Sequence, residues 1–202
     1  MKFFDKLKQV AGMHHDKTSI DHDLSSYEIH NNDPLDVVFA KRLIQNNGIF
    51  FYCDNKNELI KIIEGLTNKL SIENIYCVEP LLQNLLKSAN VNYKHCDSIN
   101  CNAVLTSCEY LIAHQGKIML SSKQLKSNDI KNLPKEHIVI AYTSQIVKNL
   151  NEAMSGVNTR YIDNLPSTIT TITSRVDNPS VAEGNIKKLS VILIEDFKET
   201  RK

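Results

Sequence analysis

The sequence predicts an α/β fold built on an open, mostly parallel β-sheet flanked by helices. Two observations carry the prediction. Stretches with apolar residues at helical spacing alternate with short runs that are apolar on both faces, the pattern of parallel strands covered by helices on either side. The helical stretches are also bounded by residues suited to helix ends, so the alternation has punctuation as well as period.

The elements follow in order. Residues 2–10 place Phe3, Phe4, Leu7 and Val10 at helical spacing and predict a short amphipathic helix that docks on a partner subunit, a route to a homo-oligomer. Residues 11–32 are rich in His, Asp, Ser and Asn, with too few large apolar side chains to offset their ordering entropy. Residues 1–32 therefore read as a helix and a mobile polar arm, and residues 33–202 as the α/β domain. In "NDPLDVVFAKRLIQNNG", Asp33 suits an N-cap, Pro34 the first helical turn and Asn47-Gly48 a left-handed stop. "IFFYC" at residues 49–53 is a short buried strand, followed by a helix ("KNELIKIIEGLTNKL"), a strand ("NIYCV"), a helix ("EPLLQNLLKSAN") and a weaker strand ("VNYKHC"). After Asp97 strands come closer together. Residues 111–113 and 117–120 flank a polar break, "HIVIAY" is a strand whose Thr143-Ser144 would cap a helix over "QIVKNLNEAM", and "STITTITS" and "LSVILIED" complete the sheet.

Composition narrows the function classes. The 202 residues are 42% hydrophobic and 23% charged, enough for one domain with a substantial core. Lys and Arg number 24 against 23 Asp and Glu, with no basic face interleaved with aromatics, so nucleic acid is not an expected partner. The first residues lack the apolar core of a secretory signal, and no apolar run approaches the roughly 20 residues that span a bilayer. A cytoplasmic protein with no membrane contact is the expectation. The five cysteines, Cys53, Cys77, Cys96, Cys101 and Cys108, form no Cys-x-x-Cys pair, which argues against a disulfide framework, a zinc ribbon or a cysteine-ligated cluster. Cys53 and Cys77 read as core residues. His14, His15, His22 and His30, with Asp16, Asp21 and Asp23, offer metal-ligand types without a fixed spacing, and no metal or other cofactor is assigned.

The segments "CEYLIAHQGKIMLSS", "PKEHIVIAYTSQIVKNLNEAM" and "TITSRVDNPSVAEGNIKKLSVILIED" resemble the carboxy-terminal half of the lactate-utilization family, the LUD domain. The resemblance spans roughly residues 36 to 197, its amino-terminal part resting on the order of elements. It implies the open α/β sheet shared with NagB, RpiA and coenzyme A transferase proteins. The signatures are altered. Where the family carries Ala-Glu-Thr-Gly-Thr, this chain has Ala113, His114, Gln115, Gly116 and Lys117. Where the family reads close to Thr-Gly-Pro-Ser-Arg-Thr-Ala-Asp-Ile-Glu, Ser174 and Arg175 remain while the Gly-Pro turn and both aligned acids are gone, Asp177 standing one place early. The family's Gly-Val-His-Gly-Pro becomes Gly184, Asn185, Ile186, Lys187, Lys188, without its histidine.

Candidate chemistry follows from these positions. His114 is the candidate general base, since imidazole titrates near neutral pH, against the reading of a structural residue in a tight turn. Gly116 would let the backbone turn or approach a ligand. Arg175 and Ser174 suit a carboxylate or phosphate at the carboxyl end of a strand, against a solvated Arg paired with Asp177. Thr143, Ser144 and Gln145 at a helix start would make a second anion-binding end, against simple capping. The resemblance implies a component of an L-lactate oxidation system that works beside iron–sulfur subunits and itself holds no cluster. A stand-alone enzyme on a small anionic or coenzyme A-linked substrate and a non-catalytic binding or scaffold domain stay open beside it, as does whether catalysis survives the loss of the family carboxylates.

Overall fold

The computed structural model describes residues 27–96, 98–126, 128–174 and 183–195. The expected helix at residues 2–10 and most of the polar arm lie outside them. Tyr27 does not belong to an arm: it is buried in the core, and its carbonyl accepts from Gln45 Nε2 at 3.0 Å. The Glu28 carbonyl likewise accepts from Lys41 Nζ at 2.7 Å. The boundary drawn before Asp33 therefore shifts back to Tyr27 or earlier.

Helix α1 (Leu35–Gln45) leads into β1 (Ile49–Cys53), and α2 (Lys56–Lys69) follows. Asp33 does not cap α1. Pro34 holds the N-cap position, and the Asp33 carboxylate accepts from His30 N and Lys41 Nζ instead. The stop is as expected: Asn47 takes φ 65° and Gly48 N closes on Leu43 O at 2.9 Å, the pairing that ends a helix in a left-handed residue. Next come β2 (Ile75–Tyr76), α3 (Pro80–Ser88), β3 (Tyr93–Lys94), β4 (Ala103–Thr106), β5 (Tyr110–Ile112), β6 (Lys117–Ser121) and the one-turn α4 (Ser122–Leu125). The chain continues through β7 (Glu136–Tyr142), β8 (Ile146–Val147), α5 (Leu150–Arg160), β9 (Ile169–Ile172) and β10 (Lys188–Ile194).

The predicted sheet is present, with six parallel strands in the order β1-β10-β7-β4-β2-β3. A second sheet, in the order β8-β5-β6-β9, was not legible as separate. It contains the antiparallel pairs β5–β6 and β6–β9 and the parallel pair β5–β8. "STITTITS" thus closes the second sheet as β9, whereas "LSVILIED" enters the middle of the first as β10.

Strand alternation sorts side chains into layers. Ala103, Leu105, Ile138, Ile140 and Ile192 face Leu59, Ile63 and Leu66 of α2 and Leu82, Leu85 and Leu86 of α3. On the opposite face Phe50, Val104, Val139, Val191 and Leu193 meet Val38, Phe39 and Leu43 of α1 and Leu111, Ile118 and Leu120 of the second sheet. The outer side of that sheet, with Tyr110, Ile112 and Met119, packs on Ala153 and Val157 of α5. Both faces of the central parallel strands β4, β7 and β10 are covered, which explains their apolar runs. Among the described residues no helix is long and apolar enough to cross a membrane.

Candidate functional site

The polar break between the two predicted strands, β5 and β6, is the turn of an antiparallel hairpin. Gly116 at φ 58° makes that turn, a conformation that L side chains rarely adopt. The turn faces inward onto α1. Gln115 O accepts from Asn46 Nδ2 at 3.0 Å, and a Cβ on Gly116 would lie 2.8 Å from Asn46 Nδ2 and 2.9 Å from Arg42 Cγ. Ala113 N and His114 N donate to Val147 O and Lys148 O at 2.9 and 3.2 Å, tying the turn to β8. The His114 side chain is exposed.

The other predicted positions go elsewhere. Thr143–Gln145 is a single 3₁₀ turn, not the start of the long helix. That helix, α5, starts at Leu150, and its cap is Asn149, whose side chain accepts from Glu152 N. The helix-start argument for Thr143 and Ser144 therefore falls, because the chain inserts β8 between the turn and the helix. Gln145 binds within the protein: Oε1 accepts from Tyr142 N at 2.8 Å, and Nε2 donates to Cys108 O at 2.6 Å. Ser174 lies at the amino end of β10, where its buried hydroxyl accepts from Leu189 N at 3.1 Å. Arg175 lies outside the described residues. The predicted residues thus fall in three separate places.

The carboxyl ends of β2 and β4, where open parallel sheets offer a crevice, bring together residues that the sequence reading passed over. Glu79 follows β2, and Ser107, Cys108 and Glu109 follow β4. Ser107 donates its amide to Glu79 Oε1 at 2.7 Å and its hydroxyl to Oε2. Burial raises the Glu79 pKa and the nearby Glu109 adds to the effect, while the two bonds from Ser107 oppose it. Glu109 is completely buried. It accepts from Ser121 Oγ at 2.7 Å, Gln124 Nε2 at 3.1 Å, Arg160 Nη1 at 3.0 Å and Tyr161 OH at 3.2 Å. Its oxygens are therefore engaged within the protein, and the carboxylate joins the β4–β5 corner to α4 and α5. Arg160 also lies 5.0 Å from the Tyr110 ring centroid, a stacking that Gly156 permits because a Cβ there would meet the Tyr110 hydroxyl at 2.3 Å. The sequence did hold a signal for Glu109: it is the one charged residue in the apolar stretch "AVLTSCEYLIA".

The cysteines carry no reactive role at this corner. Cys53, Cys77 and Cys108 are buried free thiols. Burial pushes Cys77 up to about 12 and raises Cys108 further, which leaves both thiols protonated at neutral pH.

An open six-stranded parallel sheet, a hairpin-bearing second sheet and a polar corner at the carboxyl strand ends define an α/β domain of the kind the sequence predicted. A family model for the LUD domain matches residues 86–194, from α3 to the last residue of β10. The chain belongs to the LUD-domain family. Residues 36–85, included in the resemblance through the order of elements alone, lie outside that match. The structure is similar to the crystal structure of a DUF162 family protein from Deinococcus radiodurans, with a TM-score of 0.59 and 16% identity over 80% of this chain and 96% of that one. At that identity the likeness concerns the fold.

Proposed function

We propose that this LUD-domain protein is an accessory, non-cluster component of an L-lactate oxidation system, acting beside iron–sulfur subunits in the cytoplasm. The observation that carries the reading is the fate of the signature turn. Its backbone is committed to Asn46 and β8, its acid is replaced by an exposed His114, and the buried carboxylate at the other end of β5, Glu109, is engaged by four side chains. A turn bound to its own fold supports positioning and assembly better than proton transfer.

The test is deletion of the gene followed by growth on L-lactate, in a strain with no paralogue. Loss of growth, restored by the wild-type gene and by His114→Ala, is the expected result. Normal growth removes the proposal. A tagged chain should also retain cysteine-rich subunits from lactate-grown cells, and neighbouring genes for such subunits would support the same reading.

A second reading, an enzyme on a small anionic or coenzyme A-linked substrate, draws on Glu79. This carboxylate lies at the carboxyl strand ends and is only partly buried. Acyl transfer from an acyl-coenzyme A that disappears in Glu79→Gln would favour it.

A further inference from the structure

The amino ends of β7 and β10 carry a second concentration of charge. A cleft of about 480 Å³ opens there, lined by Lys131, Lys135 and Lys187 together with Glu183 and Gly184. Against three ammonium groups its lining supplies a single carboxylate among the described residues. Lys187 is only 4% exposed. Its ammonium donates to Ile130 O at 2.7 Å and Leu133 O at 2.9 Å, and among the described residues no carboxylate is within ion-pair distance. Two carbonyl dipoles use two of the three N–H groups and leave a full charge unneutralised.

That arrangement is costly on its own. Buried charges in proteins are otherwise paired or neutralised, and an uncharged side chain would pack here without the desolvation penalty. Burial pulls the Lys187 pKa down and Lys135 adds to the effect, with Asp129 opposing it. The attraction of an anion in the cleft would offset both unfavourable contributions. Lys131 belongs to the same construction: a Cβ on Gly184 would lie 2.2 Å from Lys131 Cγ, so this glycine lets the lysine stem lie against the 3₁₀ turn Glu183–Asn185.

We propose that this cleft is a binding site for a small, multiply charged anion of the phosphate class, held by Lys187, Lys135 and Lys131. It lies at the end of the sheet opposite Glu79 and is independent of the accessory role proposed above. The competing explanation is that Lys187 only ties the Ile130–Leu133 carbonyls to β10, which would require no ligand.

The test is thermal unfolding of the full chain titrated with inorganic phosphate and, separately, with glycerol 1-phosphate, at an ionic strength held constant with sodium chloride. A saturable rise in Tm is expected. The apparent affinity should fall about tenfold in K135Q and in K131Q, and saturation should vanish in the double variant, whose two lysines are exposed and leave the fold intact. Tighter binding of the monoester would identify an organic phosphate as the ligand, and tighter binding of phosphate the free ion. Lys187→Met probes the buried group, and the double variant decides the matter if Lys187→Met does not fold. A shift that chloride reproduces, that does not saturate, or that persists unchanged in the double variant would overturn the proposal.

Discussion

At the scale of single residues, the polar side chains buried in this fold divide into those that are satisfied and those that are not, and each kind predicts a measurement. Glu109 is the satisfied kind. Glu109→Ala leaves Gln124 and Tyr161 without this acceptor and should cost about 3 kcal/mol or more in urea unfolding, and Arg160→Ala, which leaves the fully buried carboxylate without its cation, should cost about as much. His137 is the other kind. Its Nε2 meets Thr106 Oγ1 at 2.8 Å, its Nδ1 has no partner among the described residues, and burial, followed by Lys187, lowers its pKa from 6.5 to about 3. The unfolded chain therefore binds a proton that the folded one refuses, so stability is full above pH 6.5 and is lost as pH falls toward 3. This one group should contribute a slope approaching about 1.4 kcal/mol per pH unit across that window, and His137→Met should remove that slope from the acid limb. His114 and Gly116 complete the set. His114→Glu should change stability by less than about 0.5 kcal/mol, and Gly116→Val should cost about 3 kcal/mol or more through its backbone conformation and its collision with Asn46 and Arg42.

Elements were legible where the signal was local. The strand "HIVIAY", the turn around Gly116 and the stop at Asn47-Gly48 each follow from a few adjacent residues. Two helix caps were misplaced. Ser144 and Asn149 both suit an N-cap, and the structure uses Asn149 because Ile146 and Val147 are drawn into β8 against Leu111 and Ile112. Asn149→Ala should therefore cost about 1 kcal/mol, read as a lower urea midpoint at unchanged slope. Asp33 does not cap because Lys41, eight residues further on, competes for its carboxylate and prevails at 2.8 Å.

For the whole molecule, the polar composition of residues 11–26 predicts that limited proteolysis cuts there first and releases a fragment that keeps Tyr27 and melts as the full chain does. A protected segment, or a fragment of lowered Tm, would refute the expected arm. If the helix expected at residues 2–10 docks on a partner subunit, the trimmed fragment should also run at monomer mass where the full chain runs as an oligomer. Mass measured in solution before and after cleavage decides this.

By itself the sequence determined the alternation of helix and buried strand, the glycine turn between two short strands and the family, because period, turn chemistry and motif are written in neighbouring residues. Only the tertiary structure decided which strands share a sheet, since runs that are apolar on both faces do not specify their neighbours. The same holds for the polar sites. Glu79 and Ser107 are 28 positions apart, Glu109 and Arg160 are 51 apart, and Lys187 meets Ile130 across 57. Charges that distant come together only when β-strands from separate parts of the chain lie side by side, and so the corner and the lysine cleft were not apparent in the sequence.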